Sequence, residues 1–314
     1  MTFKEAWLEY RKDPVVETKK GRATLATLEA RLTLYAFPLL GEKGVNEITK
    51  EDVLEVLRPI WAEKTETASR TRIGIEAVLT WATGYGHRTG ENPARWKGHL
   101  DVFLPAPKKV TKEVHRPALP VVDLPAFMRM LKMRNDASVP VMEFLILTAT
   151  RPGEALGALW SEIDLQKGEW VIPAERMKMD REHRIPLSRR AVELLKATPR
   201  VAGTDVVFPG QGLVKPMSDG TLPKLIRSMH EAEVKSGRTG WKDRQTGKIA
   251  VPHGFRSTFR DWATEQGYDH DMAEIALAHK PGTKVERTYR RTDMFERRRD
   301  LMQAWADYAH GAMR

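Results

Sequence analysis

Residues 147–164 read LTATRPGEALGALWSEID, and the rest of the chain is organised around this stretch. An apolar run, VPVMEFLILTAT at 139–150, leads into it. That run is too short to span a bilayer, which takes about 20 residues, and it suits a buried core helix. It ends on Arg151 followed by Pro-Gly. A charge at the end of a buried helix must be paired or face a site. Glu154 lies three residues on, on the same face, and can pair with Arg151 or orient it. Taken alone, Arg151 and Glu154 read more readily as a structural ion pair than as a site.

Downstream come HGFR at 253–256, LAHK at 277–280 and VERTYRR at 285–291. His253 and Arg256 sit at i and i+3 at the start of a helix, where both side chains share a face and a helix N-terminus favours anions. His253 alone also reads as a capping or core histidine. His279 follows a short apolar helix. Tyr289 sits among Arg287, Arg290 and Arg291. A tyrosine in such a helix usually packs amphipathically. Nearby cations nevertheless favour a phenolate, which is a nucleophile. Lys178 lies in the expected hairpin RMKMDREHRIPL, either as a solvated edge charge or as a proton donor to a leaving oxygen. Fixed positive charge, imidazoles and a phenol in one half of a chain suit cleavage of a phosphodiester without a metal.

Upstream, the first 84 residues read as a small four-helix unit. Thr2 and Glu5 have capping-box spacing, as do Thr49 and Asp52. TLATLEARLTLYAF is expected to stop at Pro38. In TASRTRIGIEAVLTWATG, Ile73, Ala77, Leu79 and Trp81 are expected to face a core, with Gly84 and Gly86 ending the helix. From Tyr85 to Pro120 prolines alternate with lysines and arginines. This reads as a basic, proline-rich segment without regular helix, its later part an interdomain linker, that either meets a phosphate backbone or is simply solvated. Past Val121, Asp123 is expected to cap LPAFMRMLKM and Ser188 to cap RRAVELLKAT. EWVIPA, RMKM and HRIPL read as short strands, with DVVFP as a possible further one. The fold class is mainly α with a small antiparallel β-sheet (α+β). The expected domains are 1–84, a 85–120 segment and 121–314.

The chain has 314 residues, a formal net charge of +10 and no cysteine. Its basic balance favours a polyanionic partner, nucleic acid first, against a merely basic cytosolic protein. The cysteine count excludes disulfides, thiolate metal sites and a cysteine nucleophile. Without a signal-peptide core or a membrane-length apolar run, the expected location is the cytoplasm, associated with the nucleoid.

No single motif is strong, but the ordered set Arg151, Lys178, His253, Arg256, His279 and Tyr289 is. With LTATRPGEALGALWSEID, MKM, HRIPLS, HGFRSTFRDWA, LAHK and VERTYRRTDMFERRRDLMQAWADY, the chain resembles the tyrosine recombinases (phage-type integrases). Within them it is most similar to the P4-like prophage and genomic-island subgroup. Residues 2–84 are similar to the family's helical core-binding (SAM-like) domain.

The resemblance implies a site-specific DNA recombinase that needs no cofactor, metal or ATP. Tyr289 would attack the scissile phosphate and form a 3′-phosphotyrosine. Arg151 and Arg256 would bind the non-bridging oxygens. Lys178 would protonate the departing 5′ oxygen, His253 would act on the tyrosine proton, His279 would donate to the phosphate, and Glu154 would buttress the site. The implied partner is double-stranded DNA carrying core attachment sites, clamped by the two domains. Four protomers would act through a Holliday junction, with accessory bending or directionality factors. The apolar stripe Phe295, Leu301, Met302, Trp305 and Tyr308 is read as packing on a neighbouring protomer, or else on its own domain. The subgroup commonly carries an N-terminal arm-binding domain ahead of the segment that begins here at residue 2, so arm-site binding is expected to be absent. Two other readings stay open: a type IB topoisomerase-like relaxase, and a non-catalytic DNA-binding regulator of the same fold.

Overall fold

Capping chemistry sets the first helix. The Thr2 hydroxyl accepts from the Glu5 N–H while the Glu5 carboxylate accepts from the Thr2 N–H. This starts α1 (Phe3–Lys12), which buries Phe3, Ala6, Trp7 and Tyr10 on one stripe. The computed structural model describes residues 1–111, 115–177, 180–279 and 292–311. It divides the chain into two units, Met1–Val114 and His115–Arg314.

In the first unit α1 is followed by α2 (Pro14–Lys20), α3 (Arg22–Arg31), a π-helical turn at Leu32–Ala36 and α4 (Phe37–Leu40). The expected stop at Pro38 does not occur. The π turn widens the hydrogen-bonding just ahead of the proline, and Pro38 then occupies the first turn of α4, where no N–H is needed. α5 (Lys50–Trp61) starts with the expected Thr49–Asp52 capping box. α6 (Thr65–Gly84) packs against α1, α3 and α5.

The buried face of α6 is Ala68, Ile75, Val78, Leu79 and Ala82, whereas Ile73, expected inside, is 47% exposed. Helix register decides this, because Ile73 cannot share a face with both Leu79 and Ile75. A Cβ at Gly74 would come within 2.4 Å of Leu28 Cδ1, so the missing side chain lets α6 approach α3.

The stretch from Tyr85, expected as a basic segment outside the 1–84 helical unit, joins this core. Ala94, Leu100 and Leu104 are buried in it. The Arg72 guanidinium donates to the Ala94 carbonyl at 2.8 Å, Trp61 Nε1 donates to the Pro105 carbonyl at 3.0 Å, and Trp96 stacks on Trp61. The segment ends with the short α7 (Pro107–Val110). Proline denies this stretch a long helix but does not deny it burial.

The second unit is built on α8 (Leu124–Lys132), α9 (Val139–Thr148) and α10 (Pro152–Leu156). α9 is buried from Val141 to Thr148. Asp123 makes no capping bond with its side chain, contrary to expectation; a 3-10 turn at Val121–Asp123 leads into α8 instead. A three-stranded antiparallel sheet follows in the order β1 (Ile163–Asp164), β2 (Glu169–Ile172) and β3 (His183–Pro186), with Trp170 opposite Ile185 and Ile172 opposite His183. Of the expected strands, EWVI and HRIP form. The RMKM segment begins in a 3-10 turn, and Val206 and Pro209 make only isolated bridges.

The unit continues with α11 (Arg189–Ala197), capped by Ser188 as expected, then α12 (Thr221–Lys235), α13 (Phe255–Glu265) and α14 (His270–Ala276). The last helix, α15 (Phe295–Ala309), buries Leu301, Met302, Trp305, Ala306 and Ala309 in its own unit. Trp305 Nε1 donates to the Ile146 carbonyl at 2.7 Å and the Tyr308 hydroxyl to the Val121 carbonyl at 3.1 Å. This corrects the reading of the stripe as a surface for a neighbouring protomer, because α8, α9 and α13 already cover it.

Candidate active site

α9 ends on Ala149, whose left-handed backbone (φ 51°) turns the chain sharply before α10. Arg151 sits at this corner, at the entry to α10. Glu154 holds it twice: one carboxylate oxygen accepts from the Arg151 N–H at 2.8 Å, the other from its guanidinium at 2.7 Å. The Glu154 side chain is 7% exposed and that of Arg151 is 21% exposed. The ion pair is therefore real, but it presents the arginine at an edge of the core where an anion can reach it.

Arg256 enters from the first turn of α13 and is buried. Its guanidinium donates to the Ala149 carbonyl at 2.7 Å and to the Leu277 carbonyl at 2.5 Å, and lies 3.2 Å from His279 Nε2. It thus ties the α9 corner to the turn after α14. Burial, then the charge of Arg151, pushes the Arg256 guanidinium down to about 10, with Glu154 and Glu274 opposing. It remains a cation at neutral pH.

His279 is delivered by a left-handed residue, Ala278 (φ 53°), just past the end of α14. Its Nδ1 lies 2.8 Å from Glu274 Oε2. A guanidinium only donates, so in a neutral ring Nε2 accepts from Arg256 and the proton sits on Nδ1, facing Glu274. Glu274 also accepts from Arg260 Nε at 2.5 Å. Burial alone would raise the Glu274 carboxyl; the hydrogen bonds from Arg260 and His279 outweigh it and hold the group below its usual value.

His253 lies in the 3-10 turn Pro252–Gly254 that leads into α13. Its surface is open, yet the protein around the ring lowers its proton affinity. Desolvation is the largest cause, followed by the charges of Arg256, Arg116 and Arg151. The ring is therefore kept neutral and able to take a proton.

Gly254 explains the middle of the HGFR motif. A Cβ there would lie 2.0 Å from the Pro117 carbonyl oxygen, because the entering chain runs directly over it. That segment is held by the Val251 N–H on the Pro117 carbonyl and the Thr258 hydroxyl on the Leu119 carbonyl.

The structure thus brings together Arg151, Glu154, His253, Arg256 and His279. Lys178 and Tyr289 lie outside the described residues. Sequence reasoning missed Glu274, which orients His279; nothing in its local sequence marks it. It also missed His183 on β3. There strand alternation gives a signal, since His183 and Ile185 share the buried face.

Residues 2–99 match the phage integrase central domain, and residues 121–296 match the phage integrase family. The chain belongs to the phage integrase family. Among curated relatives, prophage integrase IntA of Escherichia coli (strain K12) is 32% identical over 280 residues, covering 88% of this chain and 62% of its own. The integrase of Enterobacteria phage P4 is 29% identical over 296 residues, covering 88% and 63%. The chain therefore spans somewhat less than two thirds of these integrases.

Among solved structures, a lambda integrase (75–356) dimer bound to a COC′ core site aligns with a TM-score of 0.65 at 19% identity, over 90% of this chain and 96% of that one. The Tn1549 transposon integrase in complex with a circular intermediate DNA aligns with a TM-score of 0.67 at 13% identity, over 97% and 99%. These two likenesses establish the integrase fold. With the family match, they bear out the sequence expectation of a P4-like tyrosine recombinase with a mainly helical fold and a small antiparallel sheet.

Proposed function

We propose that this chain is a site-specific DNA recombinase that cuts and rejoins double-stranded DNA through a 3′-phosphotyrosine, in the integration or excision of a mobile element. The observation that carries the reading is the Arg151–Arg256 pair. Two guanidiniums are fixed by Glu154, by the Ala149 and Leu277 carbonyls and by contact with His279, in a chain of the phage integrase family. Donors fixed in advance need no reorganisation when charge develops on a pentacoordinate phosphate.

In this reading Arg151 and Arg256 bind the non-bridging oxygens and Tyr289 is the nucleophile. The neutral His253 takes the phenol proton and Lys178 protonates the 5′ leaving oxygen. His279 meets the phosphate through Nε2. That nitrogen accepts from Arg256 in the neutral ring, so donation to a phosphate requires a second proton on the imidazole. The Glu274 carboxylate holds the other proton on Nδ1.

The first unit serves as the core-binding domain and the second as the catalytic domain. Four protomers meet on a Holliday junction, with accessory bending or directionality factors assisting. The net charge of +10 supports a nucleic-acid partner.

The test is a nicked suicide duplex carrying the attachment site that flanks the element. A covalent protein–DNA adduct is expected with the native chain and is lost in Tyr289→Phe. No adduct from folded protein that binds the duplex overturns the proposal.

A further inference from the structure

Two neighbouring residues on β3 reach opposite ends of one stretch of chain. His183, 7% exposed, sets its Nε2 3.2 Å from the carbonyl of Ala276, the last residue of α14. Burial, then the charge of Arg298, pushes this imidazole down to about 3; Arg256 and Arg151 add to the effect and the bond to Ala276 opposes it. A neutral ring facing a carbonyl carries its proton on Nε2. The next carbonyl, that of Leu277, is held by Arg256. His183 and Arg256 thus grip consecutive residues of the turn that delivers His279.

Arg184 holds the far end. Its carbonyl accepts from Arg298 Nη1 at 2.8 Å, and Arg298 also donates to the Asp293 carbonyl at 2.8 Å and to Asp293 Oδ2 at 3.1 Å. The Arg184 guanidinium pairs with Glu169 at 2.6 Å, approaches Asp293 Oδ2 at 3.8 Å and lies 4.3 Å over the Phe295 ring. Between the two anchors, Ala276 and Asp293, the sequence carries both His279 and Tyr289.

We propose that His183 and Arg184 are positioning residues for strand transfer: from one strand they fix both ends of the segment bearing His279 and Tyr289. His183 is buried, and the Arg184 guanidinium is engaged by Glu169 and the Phe295 ring. This inference rests on the recombinase reading above.

The test measures single-turnover adduct formation at saturating suicide duplex, with DNA affinity and thermal midpoint alongside. An active native chain is required; its silence would sink the recombinase reading and leave this inference unaddressed by that route, so the segment's amide-exchange protection is read in parallel. His183→Leu, which keeps bulk but has no donor, is expected to lower the rate about 100-fold, the usual consequence of an ångström-scale misplacement. It should also lower protection at Leu277–His279. DNA affinity should change less than about threefold, because no phosphate contact is removed.

His183→Gln can donate to the Ala276 carbonyl and should recover most of both readouts. Arg184→Gln, whose side chain is partly exposed, should lower the rate about 10-fold with little change in midpoint. The double variant His183→Leu with Arg184→Gln should fall little below the worse single, because residues acting as a unit are not additive. Native rate and protection in His183→Leu, losses that multiply in the double, or rates that only track folded fraction or DNA affinity would each overturn the proposal. If His183→Leu does not fold, His183→Gln and Arg184→Gln carry the test, and a native rate in Arg184→Gln overturns it.

Discussion

Mild acid should selectively weaken the second unit through His183. The ring sits on β3, against the Ala276 carbonyl and near the charges of Arg298, Arg256 and Arg151, and its proton affinity falls from the ordinary 6.5 to about 3. The unfolded chain therefore takes up a proton on this residue as pH drops through 6.5, while the folded chain does not until about 3. Stability from this group is fully present above the unfolded value and is lost progressively between 6.5 and about 3. At roughly pH 5 the difference is about 1.5 pH units, or about 2 kcal/mol relative to neutral pH.

Other groups fall outside this window or cancel in a comparison. His253 and His230 are also lowered, so they add acid sensitivity that a His183 variant retains. For Glu143, burial raises the carboxyl, but hydrogen bonds from His310 and Arg190 outweigh it and bring it from 4.5 to about 2, so its contribution is lost between those values, below the pH 5 endpoint of the comparison. The assay is urea unfolding near pH 7 and near pH 5, with amide-exchange protection of α9 assigning the transition to the second unit. Native protein should lose about 2 kcal/mol more than His183→Gln over this interval. Equal losses in the two proteins would mean that His183 is not the buried neutral base described above.

Three further outcomes follow from the site and the core. Glu154→Ala strips Arg151 of both its carboxylate bonds; it should cost about 3 kcal/mol in urea unfolding and lower adduct formation about 100-fold on the suicide duplex. Glu274→Gln keeps the shape but lets the amide donate to His279 Nδ1 and reverse the tautomer; the adduct rate at saturating DNA should fall at least about 10-fold with affinity unchanged. Trp305→Ala empties the α15 contact with α9 and should destabilise the second unit by about 4 kcal/mol, visible as an earlier melting transition in protein kept monomeric by dilution.

Two kinds of information made parts of this molecule legible in its sequence. Local chemistry was readable wherever a side chain answers its own backbone: the boxes at Thr2–Glu5 and Thr49–Asp52 and the cap at Ser188 all form. The Arg151–Glu154 pair also forms, and the glutamate holds the arginine at an accessible edge. What failed depended on partners distant in sequence. Asp123 has the right identity for a cap, but the 3-10 turn ahead of α8 gives it another backbone geometry. Residues 85–111 look solvated because of their prolines and lysines, yet Ala94, Leu100 and Leu104 find a core formed by α5 and α6.

The same limit explains why the motif residues were found and their supports were not. Arg256 stands in a recognisable HGFR, but its purpose as a clasp appears only when the Ala149 and Leu277 carbonyls come together around it. His183 and Glu274 bond to groups that sequence spacing alone does not bring near. Phosphate chemistry restricts which residues can touch the reacting atoms, so those residues leave a pattern in the sequence. Their supports need only a donor or a carboxylate at the right point in space, and many residue types on many elements can supply that. Motifs can therefore nominate reactive groups, but they leave out what aligns them. The strand His183–Pro186 is where this protein's alignment is most open to test.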